Sequence, residues 1–174
     1  MLNIKDQNYF KRALNFFILS TILLLMTIPI ALFFHPSEEF IKQLGSNSPE
    51  SVSKSQGLKK VWGFIQNNGF HVPIQMLLLA LIPIPFLYTL NLIVSLIIPG
   101  ILFGFFIHFD TYKGLTSLIA YIPHYTLEIM SFCIFTSGLY MLNKSILRKI
   151  INLFRKEKKQ NYSFKLSLIN LLSL

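Results

Sequence analysis

Charge is what this sequence has least of. Of its 174 residues, 13% are Asp, Glu, Lys or Arg, about half the share carried by an ordinary soluble domain. The deficit is concentrated in three stretches. No charged side chain stands between Arg12 and Glu38, none stands between Lys60 and Asp110, and Glu128 is alone between Lys113 and Lys144. A helix that crosses the hydrocarbon core of a bilayer needs about 20 mostly apolar residues. The first stretch has room for one such span, the second for two and the third for one. Core helices of soluble proteins do not run so far without a charge on some face, and a chain this short cannot wrap four of them in a water-facing shell. A porin-type barrel is excluded by pattern, because its strands alternate apolar and polar residues. Here Ile22-Leu23-Leu24-Leu25-Met26 and Met76-Leu77-Leu78-Leu79-Ala80 are continuously apolar.

Other absences narrow the function. Cysteine occurs once, as Cys133 inside an apolar run, so there is no internal disulfide and the thiol reads as a small hydrophobe. There is no P-loop, Gly-rich nucleotide fingerprint, nucleophile elbow, paired-cysteine site or H-E-x-x-H. The expectation is therefore a protein that is not an enzyme and carries no cofactor and no metal. Acidic residues number 7 against 16 basic ones, a net charge of +9. That excess lies outside the apolar runs. The positive-inside rule accounts for it, and no nucleic-acid motif competes.

What is present reads as an all-α, polytopic transmembrane bundle of about four spans with interfacial amphipathic segments. The chain forms a single transmembrane domain, 1–174. The spans are placed at 14–34, 68–87, 88–108 and 115–142, with a basic cytoplasmic tail at 143–174. The run from Leu14 to Phe34 exceeds the h-region of a signal peptide and lacks an A-x-A site, so it is read as a retained first span. Phe40, Ile41 and Leu44 suit a short amphipathic helix, broken by Gly45-Ser46-Asn47-Ser48-Pro49. Ser53 to Ile65 is expected at the interface, where Trp62 beside Lys59 and Lys60 gives an aromatic and basic edge. Pro83 and Pro85 either turn the chain or kink the second span. Pro123 marks a place where the long fourth span tilts or breaks. From Lys144 the tail reads as an amphipathic helix on the cytoplasmic leaflet, drawn by anionic lipid. Asn161 to Leu174 is apolar but too short to span. Three Lys/Arg before the first span and seven between the last span and residue 160 place both termini in the cytoplasm.

Three polar or small-residue features invite a role. Asn67 and Asn68 stand at the start of the second span, as a helix cap or as an interhelical hydrogen-bonding site. Gly100 and Gly104 in Pro99-Gly100-Ile101-Leu102-Phe103-Gly104 share a helix face and permit close backbone approach, within the chain or between chains. His124 and Glu128, four apart, lie on one face and can bond each other. Glu128 is the one carboxylate inside a span, and buried carboxylates are usually paired. The pair reads either as a polar clamp that fixes the helix near Pro123, or as a proton or ion site, or as half of a metal site. A catalytic zinc needs three protein ligands, and His71 and His108 have no spacing that supplies the third.

Phe64-Ile65-Gln66-Asn67-Asn68, Gly100-x-x-x-Gly104 and Pro123-His124-x-x-x-Glu128, followed by Gly138, occur in an order and spacing that resembles the stage II sporulation protein M family. The likeness runs from about Phe64 to Met141. Pro99 and Tyr125 stand where the family has Asn and Gly. The resemblance implies a multi-pass protein of the bacterial cytoplasmic membrane without activity of its own. Such a protein anchors membrane or cell-wall-associated partner proteins, as in forespore engulfment. The bilayer itself is a partner, and self-association into a homo-oligomer is compatible. Other members look like accessories of transport or bacteriocin systems. A small transporter, transport-accessory or immunity protein using His124 and Glu128 is therefore the alternative.

Overall fold

In the computed structural model, residues 8–34 and 57–155 and the single positions 37, 39, 164 and 167 are described. The amphipathic helix expected around Phe40, the break at Gly45–Pro49 and the apolar end 161–174 fall outside them, apart from those isolated positions. The described residues are helical, with no strand among them. The helices are α1 (Tyr9–Phe34), α2 (Leu58–Gln66), α3 (Val72–Leu81), α4 (Leu90–Phe109) and α5 (Thr111–Phe154). Three segments are long and apolar enough to cross a membrane: α1, α4 with the turn before it, and α5.

The expected span at 68–87 has a different extent. The helix begins at Leu58, behind Gly57 in a left-handed conformation (φ 60°). It passes through a π turn at Asn67–His71 and ends at Leu81. Its end is set by Pro83. The residue before a proline is pushed out of the helical region, and Ile82 is extended at φ −72°, ψ 130°. Pro83 and Pro85 thus turn the chain. Phe86 comes next in the left-handed region (φ 61°), and a 3-10 turn at Leu87–Thr89 leads into α4.

Helix α5 departs from expectation in two ways. It does not break at Pro123 but runs unbroken for 44 residues, about 66 Å at 1.5 Å per residue. Pro123 lies on the exposed face. The first part of the basic tail, through Phe154, is the end of this helix and not a separate element.

The loop expected between the last two spans shrinks to one residue. Asp110 ends α4 and caps α5, accepting from the Lys113 amide at 3.0 Å and pairing with Lys113 Nζ at 3.1 Å. The turn is this tight because Gly114 has no side chain. A Cβ there would lie 2.5 Å from the Ile107 amide nitrogen and 2.6 Å from its Cα.

The bundle is apolar on both sides. Leu24, Met76, Ala80, Leu92, Leu96, Ile129, Phe132 and Leu139 form the core. Phe10, Leu14, Ile22, Leu25, Leu78, Val94, Phe106 and Leu127 face outward. A soluble monomer does not present so continuous an apolar exterior, whereas a lipid-solvated one does. Asp110 and Lys113 mark one end of the bundle, and Arg12 and Lys144 meet at the other. The guanidinium of Arg12 and the ammonium of Lys144 each lie 5.1 Å from the Tyr140 ring centre. The N-terminus of α1 and the C-terminal part of α5 therefore share an end of the bundle.

Candidate functional site

Within a bilayer every polar group needs a partner inside the protein. Two of the sequence features meet for this reason. The π turn carries Asn67 and Asn68 against the middle of α5. Asn67 Nδ2 donates to Asn68 Oδ1 at 2.8 Å, and Asn68 Nδ2 donates to Glu128 Oε1 at 2.7 Å. His124 Nε2 lies 2.7 Å from Glu128 Oε2. Two donors thus converge on one carboxylate from two elements, with a second asparagine behind the first. The helix widens where this happens. An α-helix that accommodates one extra residue as a π turn rotates its later residues to a new facing, and the rotation occurs where the asparagines turn to α5.

Burial grades along this chain of groups. The Glu128 side chain is 19% exposed and His124 is 60% exposed. The imidazole packs at 5.6 Å, ring centre to ring centre, against Tyr121, which itself leans on Tyr125 and Phe103. The Tyr125 hydroxyl meets Thr21 Oγ1 of α1 at 3.0 Å. Since Thr21 Oγ1 donates to the Phe17 carbonyl at 2.9 Å, Tyr125 is the donor. The carboxylate is therefore held between the π turn and α5, and α5 is tied to α1 three residues earlier through Tyr125. His71 and His108 are exposed and lie apart from it. Among the described residues no group of three or more His, Cys, Asp and Glu could hold a metal.

Gly100 and Gly104 pack within the chain, on α1. A Cβ at Gly100 would fall 1.8 Å from Thr27 Oγ1 and 2.8 Å from Thr27 Cβ. One at Gly104 would fall 2.6 Å from both Ala31 Cβ and the Ile28 carbonyl oxygen. This pair is therefore already occupied by α1.

Two residues that sequence reasoning passed over complete the frame. Asn143 is buried, and its Nδ2 donates to the carbonyls of Ala80 and Ile82, each at 2.9 Å. A helix end leaves carbonyls without intrahelical partners, and Asn143 satisfies two of them where Pro83 has cut α3 short. Its signal was available: an uncharged polar residue facing the apolar run, just before the first tail lysine. The second is Ser137, whose hydroxyl donates to the Tyr9 carbonyl at 2.8 Å, while the Tyr9 hydroxyl donates to the Ile134 carbonyl. These bonds pin the start of α1 to α5.

Comparison with known protein families, with curated proteins and with solved structures returns no match.

Proposed function

We propose that this protein is a non-enzymatic, multi-pass protein of the bacterial cytoplasmic membrane that anchors or organises a partner membrane protein through the face of α5 around His124. In this reading α2, the π turn and α3 supply the fourth crossing, and the basic end with both termini is cytoplasmic, following the positive-inside rule.

One observation carries the reading. His124 is eleven residues beyond Lys113, about 16 Å along the helix axis, which is half the thickness of the hydrocarbon core. Its ring is 60% exposed on the outside of the bundle. Polar side chains within a span face the protein interior or a partner helix. The Glu128 side is satisfied from within, and the outward side of the ring is offered to a neighbour. Helix packing by Gly100 and Gly104 is internal, so a partner is recruited elsewhere. The likeness to the stage II sporulation protein M motifs points the same way. Photo-crosslinking from position 127, beside His124, should yield a discrete protein adduct in native membranes, with none from Leu25. Lipid adducts alone at both positions would count against the reading.

The alternative, a transport or immunity role for His124 and Glu128, draws on the hydrogen-bonded groups that reach the carboxylate. Those donors converge on Glu128 from both sides instead of running through it, which suits a clamp better than a proton wire. Ion flux in reconstituted vesicles that vanishes in Glu128→Gln would favour the alternative over the anchor.

A further inference from the structure

Two cavities open at the basic end of the bundle, and they share a wall. The first, of about 190 Å³, is lined by Pro85, Phe86, Tyr88, Tyr140, Asn143, Lys144 and Leu147. It is the more polar of the two. The Lys144 ammonium lies over the Tyr140 ring and donates to the Tyr140 hydroxyl at 3.3 Å, which leaves the hydroxyl proton to be donated onward. Arg12 reaches the same ring from α1. The second cavity, of about 290 Å³, is a groove between α1 and the start of α4. Phe16, Leu19 and Leu23 form one side, and Phe86, Leu92 and Leu96 the other. It is almost wholly apolar and lies on the outer surface, at the level of the first turns below the basic end.

Phe86 is the residue common to both. Its left-handed backbone is uncommon for a bulky side chain and costs about 1 kcal/mol or more. The conformation sets its ring 6.4 Å from Tyr88 and 6.2 Å from Tyr140, as a partition between a cationic cavity and an apolar groove. Cationic groups at headgroup level, adjoined by an apolar channel running toward the bilayer centre, complement one kind of molecule: an anion joined to a hydrocarbon chain.

We infer that this end of the bundle binds one anionic phospholipid, with its phosphate against Lys144, Arg12 and the Tyr140 hydroxyl and one acyl chain in the groove between α1 and α4. A free phosphate would satisfy the first cavity alone. The groove commits the site to lipid.

The test is native mass spectrometry of the full chain released from nanodiscs of equal parts phosphatidylglycerol and phosphatidylcholine. One retained phosphatidylglycerol per chain is expected. Lys144→Gln should weaken retention about fivefold, since one cation near a membrane surface contributes about 1 kcal/mol, and Lys144→Arg should restore it. Leu19 is 62% exposed, so Leu19→Trp fills the groove without disturbing the core, and it should lower retention with every charge intact. Lys113→Gln, at the opposite end, should change nothing. Inorganic phosphate at millimolar concentration should not displace the lipid. Equal retention of the two lipids would overturn the inference. So would full retention in Lys144→Gln or Leu19→Trp, or an equal loss in Lys113→Gln.

Discussion

Lipid is as apolar as leucine, so helices in a bilayer are held by close packing and hydrogen bonds instead of by exclusion from water. The α1–α4 contact depends on close packing, and it yields a quantitative expectation at Gly100 and Gly104. Carbon atoms in favourable contact stand about 3.5–4.0 Å apart. In Gly104→Ala the new methyl would begin 2.6 Å from Ala31 Cβ and 2.6 Å from the Ile28 carbonyl oxygen, so the helices must part by about 1 Å. Overpacking of this kind costs about 1–3 kcal/mol, against a helix-propensity gain of at most about 1 kcal/mol. In Gly100→Ala the two closest atoms both belong to Thr27, and the nearest backbone atom, the Leu24 carbonyl oxygen, is at an ordinary 3.4 Å. The two sites should therefore respond differently to compensation. Gly100→Ala combined with Thr27→Gly moves the small residue across the interface and should recover most of the loss, with a coupling of about 1–2 kcal/mol. Gly104→Ala combined with Ala31→Gly should recover only part, because the Ile28 carbonyl remains in the way. Reversible unfolding in mixed detergent micelles gives the seven stabilities that the two cycles need, the wild type included. Additivity within about 0.5 kcal/mol in the Gly100 cycle, or wild-type stability of Gly104→Ala, would refute the account. A change of oligomeric state with unchanged monomer stability would mean that the glycines face another chain.

Asn143→Leu should cost about 2 kcal/mol in the same unfolding assay, since it strands the Ala80 and Ile82 carbonyls in an apolar setting. Asn68→Leu and Glu128→Leu should each destabilise by about 1 kcal/mol, and the double substitution should cost less than their sum, because the Asn68–Glu128 bond is shared while the Asn67 and His124 bonds are not. Gly114→Ala should be more damaging than either α4 glycine substitution, because the obstructing atoms are the Ile107 and Phe106 backbone; loss of folded protein on size-exclusion chromatography would report it. The Asp110 carboxyl is held below its usual 3.8, first by the Lys113 amide and then by the Lys113 side chain. A depressed folded-state pKa gives stability that is present above the unfolded value and is lost as pH falls through the folded one. Thermal stability should thus fall as pH drops below about 4, and Asp110→Asn should flatten that dependence; an unchanged acid profile in the variant would argue against the cap.

The charge-free stretches showed the helices because a span is a property of composition over about 20 residues, and composition is local. Gly100 and Gly104 were visible for the same reason, as a spacing on one helix, though their partner Thr27 lies in a distant part of the chain and could not be seen. Asn68 and Glu128 were each recognised alone. Their bond depends on the π turn, which is a fault in helical register that no residue pattern around Asn67 announces. A break at Pro123 did not follow, because a proline removes a single hydrogen bond and a membrane helix re-satisfies the freed carbonyl locally, so the helix runs on through it. Asn143 and Gly114 went unmarked for opposite reasons. The asparagine looked like the edge of a polar tail, and the glycine looked like part of a loop that turned out to be one residue long.

The two kinds of membrane adhesion divide between the helices. Helix α4 is fixed by proximity, lying on α1 through glycines and turning tightly into α5 at Gly114. Helix α5 is fixed by hydrogen bonds. It reaches α1 through Ser137 and Tyr9, through the Ser20–Cys133 contact at 3.8 Å and through Tyr125 and Thr21. It reaches the π turn through Glu128 and the end of α3 through Asn143. Each of these bonds joins elements far apart in sequence, and all of them converge on one helix. Removing α5 would leave the α3 carboxyl end and the Asn68 amide without their partners in lipid and would take from α1 the bonds at Tyr9, whereas the α1–α4 contact rests on shape. A helix that satisfies the polar groups of its neighbours has its own polar groups committed inward. His124 shares in that commitment through Glu128 and yet keeps most of its ring outside, which is why the proposed partner contact is placed there.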